Sequence, residues 1–443
     1  MRDIALTLIF LSFLAFVFAR PYIGVYIWTW LSLMNPHRLT YGFAFSFPFA
    51  QITAIVTLIA MLSSDKPKRI PWTRETILLL IFTLWMLLTT FFAFYPDLAW
   101  EQWGKVWKIM FMIYVTLILI NTRQKLDWLV WVIVLSLGLY GVKGGIFTIL
   151  TGGAHRVQGP LGSFIYGNNE MALALIMTIP LMRYLQLQAE SFWIRLGLGV
   201  SMLLTGIAII GTQSRGALVG MIAMGIFLFL KSRNKFFTLL PILVIVGAVA
   251  LIMPQEWYDR MSTITAEKQD SSVQGRFSAW RMAVNIAKDR ITGGGFETFQ
   301  KGTYQMYSDD PNRGRTTDAH SIYFEIIAEQ GFIGFALFML LAWFTWNTGN
   351  RIRKLARKNN ETRWAFDLAS MLQVSLIGYA AGGAFLGLAY FDLYYDLIAL
   401  MVICNLILQK QIERLNAMPD AMAHGANVLD ERNGSEALPV TRG

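Results

Sequence analysis

Long apolar runs constrain this chain more than any other feature. They lie at about residues 4–19, 21–34, 43–62, 75–93, 105–120, 127–150, 170–187, 194–211, 216–231, 236–252, 321–348, 365–389 and 393–409. A helix of about 20 apolar residues spans the hydrocarbon core of a bilayer, and most of these runs approach that length. With 55% hydrophobic and only 15% charged residues, the 443-residue chain is predicted to be an all-α polytopic membrane protein.

The distribution of basic residues predicts the topology. Lysines and arginines collect in short loops at 66–74, 123–125, 231–235 and 351–363. An even number of apolar runs separates each of these loops from the next, so all of them are predicted to face the cytoplasm. This bias accounts for the net charge of +10 without a nucleic-acid partner. Parity favours about 12 transmembrane helices, although the first two runs, divided by Arg20-Pro21, also suit a kinked passage or a re-entrant pair.

Four parts of the chain follow from this topology. Residues 1–252 are predicted to form N-terminal transmembrane helices, and 253–320 one large loop on the outer face. Residues 321–412 are predicted to form the C-terminal transmembrane helices, and 413–443 a disordered cytoplasmic tail. The single cysteine, Cys404, cannot form an intramolecular disulfide and is interpreted as a core residue.

His320 is the strongest candidate for a catalytic residue. It lies at the boundary where the large loop re-enters an apolar run, and imidazole titrates near pH ~6.5, which suits a general base. Asp318 or Glu325 could orient its ring. The same position also suits a polar residue that only marks the start of a helix, and position alone leaves both interpretations open.

Arginines on the predicted outer face run against the topology bias and suggest an anion site. Arg156, Arg215, Arg276 and Arg281 come from three separate stretches of this face. A guanidinium group matches phosphate oxygens in a bidentate fork, so converging arginines favour a phosphorylated ligand. Snorkelling or structural ion pairs would explain any one of them alone. Arg276 and Arg281 differ by five positions and are not expected to share a helix face well.

Two further stretches of the large loop are interpreted as turns. The glycine run at 293–295 would allow backbone amides to approach an anion, but a simple turn is the better interpretation. Asp309 and Asp310 would suit a divalent cation, but they precede Pro311 in a turn-rich stretch. No metal site and no cofactor are therefore predicted.

Three stretches around the large loop resemble the O-antigen ligase family of bacterial envelope glycosyltransferases. They are residues 213–216 (Gln-Ser-Arg-Gly), 275–280 (Gly-Arg-Phe-x-x-Trp) and 320–334, which run from the His-Ser pair to Glu-x-Gly-x-x-Gly. Each motif is weak alone, but their order and spacing make the set specific. The N-terminal stretches at 28–30 and 35–38 are also similar to the O-glycosylation ligase branch.

The resemblance implies a GT-C-like membrane fold and transfer of a glycan from undecaprenyl diphosphate at the periplasmic face of the bacterial inner membrane. In the ligase proper, the acceptor is a sugar of lipid A–core. By the same resemblance, Arg215 and Arg276 hold the diphosphate, and His320 activates the acceptor hydroxyl. Arg156 with Gly159 and Asn169 resembles a further family pattern, more loosely. The reaction is expected to invert the anomeric carbon without a metal.

Supporting roles are expected for Arg281, which directly follows the second motif, and for Tyr323, which lies inside the third. Two alternatives share the donor chemistry: a polysaccharide polymerase and an oligosaccharyltransferase that acts on protein hydroxyls. A different class, a polyprenyl-lipid or solute transporter, would more often show interrupted helices in two corresponding halves. The candidate polar residues instead collect at the outer end of the helices, which favours an enzyme.

Overall fold

Helices make up all the regular structure of the residues that the computed structural model describes, which are 1–65, 67–231, 271–309, 316–434 and isolated positions between 240 and 258. Side chains are described there except at 231, 271–273 and 418–434. The α-helices are α1 (Arg2–Ala19), α2 (Tyr22–Met34), α3 (Phe49–Ser63), α4 (Arg74–Phe91), α5 (Pro96–Leu119), α6 (Arg123–Leu150), α7 (Asn168–Gln188), α8 (Phe192–Gly211), α9 (Arg215–Lys231), α10 (Ser271–Asp289), α11 (Lys301–Tyr307), α12 (Ile322–Ala356), α13 (Arg363–Gly383) and α14 (Asp392–Gly434).

Seven of the described helices are long and apolar enough to cross a membrane. They are α1, α4, α6, α7, α8, α12 and α14, the last over Asp392–Ala417. Shorter apolar helices occur at Tyr22–Met34, Phe49–Ser63 and Arg215–Leu230. The prediction of a polytopic helical membrane protein is thus confirmed. The count of about 12 crossings stays a prediction, since the run at 236–252 lies largely outside the described residues.

The boundaries predicted from apolar sequence agree with the observed ends of the helices only in part. The runs at 4–19 and 21–34 form two separate helices that meet at Arg20, and α2, with 13 residues, is only about 20 Å long. That is shorter than the ~30 Å hydrocarbon core, so α2 alone does not span it. The division at 252, 320 and 412 and the disordered tail stay predictions, although the backbone of α14 is helical to Gly434.

One predicted run begins later than its apolar sequence. The helix expected at 43–62 starts at Phe49, and residues Phe43–Phe45 form a short 3-10 turn instead. The carboxylate of Asp3 explains the difference, because its Oδ1 accepts hydrogen bonds from the backbone N–H groups of Gly42 and Ala44 at 3.0 and 3.1 Å. These bonds hold the amides outside a helix, in competition with local apolar pattern.

Helices α6 and α8 approach each other closely through small residues. A side chain at Gly141 would collide with Thr205, and one at Gly145 would collide with the backbone of Leu204. Two glycines four residues apart leave a smooth helix face, and membrane helices use such faces for close backbone packing.

The membrane helices differ in how much of their surface the rest of the protein covers. In α14, 83% of the apolar window is buried, against 11% in α1. Helix α1 is therefore peripheral and α14 central.

Helix α12 breaks near its beginning, at Gly331. This residue has φ 67° and ψ −175°, which is not a helical conformation. The break frees carbonyl groups in the preceding turn, and such groups need other donors. The backbone N–H groups of Gly294 and Gly295 donate to the carbonyls of Ala328 and Glu329 at 2.8 and 2.9 Å. The glycine run of the large loop therefore closes the break in α12, and these two amides are committed to protein carbonyls.

Candidate active site

His320 has an unusual backbone conformation directly before α12. Its φ of +43° lies in the left-handed region. Non-glycine residues adopt that region at a cost of about 1–3 kcal/mol and keep it only where their surroundings enforce it. Here the indole Nε1–H of Trp280 donates to the carbonyl of Ala319 at 2.8 Å, and the next residue, Ser321, is fully buried. His320 therefore occupies a fixed turn rather than a loose loop.

A cavity of about 300 Å³ opens beside His320. Carboxyl side chains from three separate parts of the chain line it together with the imidazole: Glu170, Glu297, Asp318, Glu325 and Glu329. Within the described part of the chain, no three His, Cys, Asp or Glu side chains come together in a geometry that would hold a metal ion. The walls of the cavity are thus rich in hydrogen-bond acceptors.

The electrostatic surroundings of the imidazole favour its neutral form. Burial lowers the pKa of His320 below its ordinary value, the positive charge of Arg276 lowers it further, and the negative charge of Asp318 opposes both. A neutral imidazole at pH 7 can accept a proton. Burial, assisted by the charge of Asp318, raises the pKa of Glu297, which also lines the cavity.

Helix α10 packs on α12 and brings Arg276 close enough for its charge to act on His320. The absence of a side chain at Gly275 permits this approach, because a Cβ there would lie 3.1 Å from the hydroxyl of Thr317. One turn further on, the indole of Trp280 stacks on Phe324, with ring centroids 4.7 Å apart and an interplanar angle of 8°. Two of the three motif stretches are therefore in direct contact.

The third stretch is the turn before α9, with Arg215 as the first residue of that helix. Gln213 in this turn also has a positive φ, +55°. A Cβ at Gly216 would lie 2.8 Å from the Cβ of Phe385, and the ring of Phe385 lies 6.5 Å from that of Trp280. The turn and α10 thus meet on the same segment, the one that follows α13.

Arg156 belongs to the same region through the turn before α9. Its Nε donates to Oε1 of Gln213 at 3.4 Å, and Nε2 of Gln213 donates to the carbonyl of Gly153 at 2.9 Å. Two of the arginines singled out from the sequence, Arg156 and Arg215, therefore flank one glutamine with a strained backbone. Strain of this kind concentrates at binding and catalytic sites.

These three stretches are the ones that a known family shares. The sequence model of the O-antigen ligase family matches residues 200–339, which include Arg215, Arg276 and His320. Residues 200–339 belong to the O-antigen ligase family. A second model, described as a family of unknown function (DUF5935), matches residues 1–190. A comparison with curated proteins gives no match.

The family resemblance seen in the sequence is therefore confirmed, and the matched stretch is called the ligase region below. The cavity also has walls outside it. At the start of α7, Glu170 and the preceding loop residue Phe164 line the cavity. The amide of Asn168 donates to the carbonyl of Thr212, 2.8 Å away, in the turn before Arg215. Asn169, the residue predicted from the family pattern, is half-buried beside it.

Several carboxyls of the ligase region support the cavity as well as line it. Glu325 was expected to orient His320, and its Oε2 accepts from the backbone N–H of Ala389 at 3.3 Å. Glu329 accepts from the hydroxyl of Tyr390 at 2.7 Å and from the backbone N–H of Glu297 at 2.8 Å. These bonds bind the segment after α13 to the first turns of α12.

The wall formed by Glu297 and Glu329 was not anticipated as part of the site. A signal for it did exist, because Glu329 lies in the third motif and Glu297 follows the glycine run. That the two stretches meet depends on the break at Gly331, which apolar patterning does not reveal.

Two residues of the ligase region with expected supporting roles point elsewhere. Arg281 forms an ion pair with Asp309, with Nε 2.6 Å from Oδ2, and both side chains are more than half exposed. The hydroxyl of Tyr323 donates to the carbonyl of Ala380 at 2.8 Å and so ties α12 to α13. Asp309 thus takes part in an ion pair, while Asp310 lies outside the described residues.

Proposed function

We propose that this membrane protein of the O-antigen ligase type transfers an undecaprenyl-diphosphate-linked glycan to an acceptor at the periplasmic face of the inner membrane. Lipid A–core is the favoured acceptor. The observation that carries the proposal is that the charge of Arg276 acts on His320 beside the cavity, while the turn that bears Arg215 packs on Phe385, whose ring lies near Trp280 of α10. A base and phosphate-binding groups are the two elements that such a transfer needs.

The chemistry divides between these groups. The oxygen of the acceptor hydroxyl forms a bond to the anomeric carbon of the donor sugar, and the bond from that carbon to the diphosphate oxygen breaks. The electron pair leaves with the diphosphate, whose added charge Arg215, Arg276 and Arg156 stabilise through bidentate hydrogen bonds. Attack opposite the leaving group inverts the anomeric carbon.

His320 takes the proton of the acceptor hydroxyl. Its lowered pKa keeps the imidazole neutral and ready to accept at pH 7. Once the imidazolium forms, the negative charge of Asp318 stabilises it, since an opposite charge nearby favours the charged form. The reaction needs no nucleotide, because the diphosphate already provides a good leaving group, and we expect no metal to take part.

Reconstitution tests donor, acceptor and metal together. Purified protein in liposomes receives an undecaprenyl-diphosphate-linked glycan and, in parallel vessels, lipid A–core or an acceptor protein rich in serine and threonine. We expect transfer to lipid A–core that EDTA does not inhibit. Transfer to the protein alone would replace the acceptor, extension of the donor glycan would indicate a polymerase, and loss of activity in EDTA with rescue by Mg²⁺ would overturn the metal-free mechanism.

Cysteine labelling tests the orientation. In a Cys404→Ser background, Met306→Cys places a thiol on α11, within the large loop, at a position that is 62% exposed. Lys358→Cys places a thiol in the basic loop after α12. An impermeant thiol reagent applied from the periplasmic side should label the first position only. Labelling of both positions from one side would refute the proposed topology.

A further inference from the structure

A second and larger hollow lies along α10. This groove has a volume of about 860 Å³, against about 300 Å³ for the cavity beside His320. Its walls include Phe277, Trp280 and Phe324, together with charged residues at its edge. A volume of this order is large enough for a ligand of several rings.

Aromatic rings form one wall of the groove. Phe277 is 51% exposed, and its ring meets Trp280 edge to face with centroids 5.4 Å apart. Trp280 in turn stacks on Phe324, 4.7 Å away. These contacts hold the rings in place before any ligand arrives, and sugar rings pack their C–H faces on such pre-positioned aromatic surfaces. Little side-chain entropy is then lost on binding.

The remaining lining is polar, which argues against a hydrocarbon chain as the occupant. The exposed ion pair of Arg281 with Asp309 and the ammonium of Lys288 offer donors and acceptors around the rings. A polyprenyl chain laid here would remove these groups from water without replacing their hydrogen bonds, at a cost of about 1–3 kcal/mol each. Sugar hydroxyls would replace those bonds.

The groove adjoins the residues that hold His320 in place. Trp280 lines the groove with one part of its indole and donates from Nε1 to the carbonyl of Ala319, which lines the cavity. Phe324 lines the groove, and its neighbour Glu325 lines the cavity. A chain of sugars in the groove would therefore lie against residues whose direct neighbours line the cavity of the proposed base.

From these observations we propose that the groove along α10 binds the sugar chain of the acceptor, with the aromatic rings under sugar faces and the charged edge bound to sugar hydroxyls and acidic substituents. The proposal rests on the function proposed above. It separates the two substrates: the acceptor glycan lies in the groove, while the donor diphosphate is held by Arg156, Arg215 and Arg276.

Direct binding tests this assignment. The probes are a water-soluble core oligosaccharide obtained by deacylating lipopolysaccharide and, for the donor side, farnesyl diphosphate; Kd values are measured by thermophoresis on protein in detergent. Phe277→Ala should raise the Kd for the oligosaccharide about 10-fold, as expected for loss of a central aromatic contact. Lys288→Glu, at an exposed position that should not affect folding, should raise it by a smaller factor. Both variants should bind farnesyl diphosphate as the wild type does.

Phe332→Ala is the matched control. Phe332 is a phenylalanine of similar exposure, 45%, on α12 outside the two sets of lining residues, so its removal should leave both Kd values unchanged. Unchanged oligosaccharide binding in Phe277→Ala and Lys288→Glu would overturn the proposal. Weaker farnesyl diphosphate binding in Phe277→Ala would assign the groove to the polyprenyl chain instead. Tighter binding of a serine- and threonine-rich peptide than of the oligosaccharide would assign it to a protein acceptor.

The same measurements separate this proposal from the proposed function. If the wild type transfers glycan but Phe277→Ala binds the oligosaccharide as the wild type does, the proposed function stands and the assignment of the groove is refuted. Wild-type protein that binds the oligosaccharide through Phe277 but binds no farnesyl diphosphate keeps the groove and loses the donor assignment.

Discussion

The cavity beside His320 and the groove along α10 differ in size, in lining and in charge. The cavity beside His320 is small and lined by carboxyls, whereas the groove beside Arg281 is larger, aromatic and edged by an exposed ion pair. Arg276 and Arg281 belong to one helix, yet the charge of the first acts on His320 and the second forms an ion pair with Asp309. Five positions on a helix are enough to give two identical side chains different partners.

The largest effect should come from His320. His320→Ala should reduce transfer by about 10²–10⁴-fold, the usual contribution of a general base, while the Kd for farnesyl diphosphate stays at the wild-type value. Single-turnover transfer and equilibrium binding measure the two quantities separately. Near-normal turnover in this variant would show that His320 is not the base. A carboxyl of the cavity would then be the next candidate, and the cavity would no longer differ from the groove by having His320 as its base.

The two arginines of α10 should then diverge. Arg276→Ala should weaken donor binding by about 2–4 kcal/mol, because a desolvated charge-assisted contact is lost, and Arg276→Lys should restore it only partly. Arg281→Ala, which breaks an exposed ion pair, should change donor binding by less than about 1 kcal/mol. Isothermal titration with farnesyl diphosphate measures both. Equal losses in the two alanine variants would show that the helix faces do not separate the substrates.

The break in α12 should matter for folding as well as for the cavity. Gly331→Ala places a side chain on a residue with positive φ, and its Cβ would collide with the carbonyl of Ile291. We expect destabilisation of at least about 1–3 kcal/mol, seen as a lower melting temperature in detergent. Gly104→Ala in α5 is the control, since no atom lies within 4 Å of the new methyl group there. Equal melting temperatures for the two variants would contradict a structural role for the break.

The smallest effect concerns pH. The charge of Asp318 raises the pKa of His320 against burial and Arg276, so Asp318→Asn should lower that pKa further. The acid limb of the pH–rate profile, where the imidazole becomes protonated and inactive, should move to lower pH. Arg276→Gln should move it to higher pH, and Asp309→Asn, at the groove, should not move it. A shift in the last variant equal to that in the first would show that the two hollows are not electrostatically distinct.

Sequence reasoning identified the helices better than their ends. Apolar length predicted α12, but the break at Gly331 depends on amides supplied by Gly294 and Gly295 from a distant loop. In the same way, apolar pattern missed the delayed start of α3, because the carboxylate of Asp3 is remote in sequence. Local pattern records propensity, whereas these features depend on contacts between segments.

The candidate site divides along the same line. His320, Arg215 and Arg276 were identifiable because a family motif surrounds each of them. Tyr323 lies in one of these motifs and Arg281 directly follows another, but the direction of a side chain depends on helix rotation, which a motif does not specify. The acidic wall built by Glu297 was missed because its contribution appears only when the chain is folded.

The break at Gly331 also gives α12 two axes instead of one. A membrane helix answers a change in bilayer thickness mainly by tilting. Residues 332–356 can tilt about the break without moving the turns before it. Those turns are hydrogen-bonded to the glycine run and not only to the rest of α12. The end of α12 that follows His320 is thereby insulated from the bilayer, and the geometry of the cavity should depend little on the acyl-chain length of the surrounding lipids.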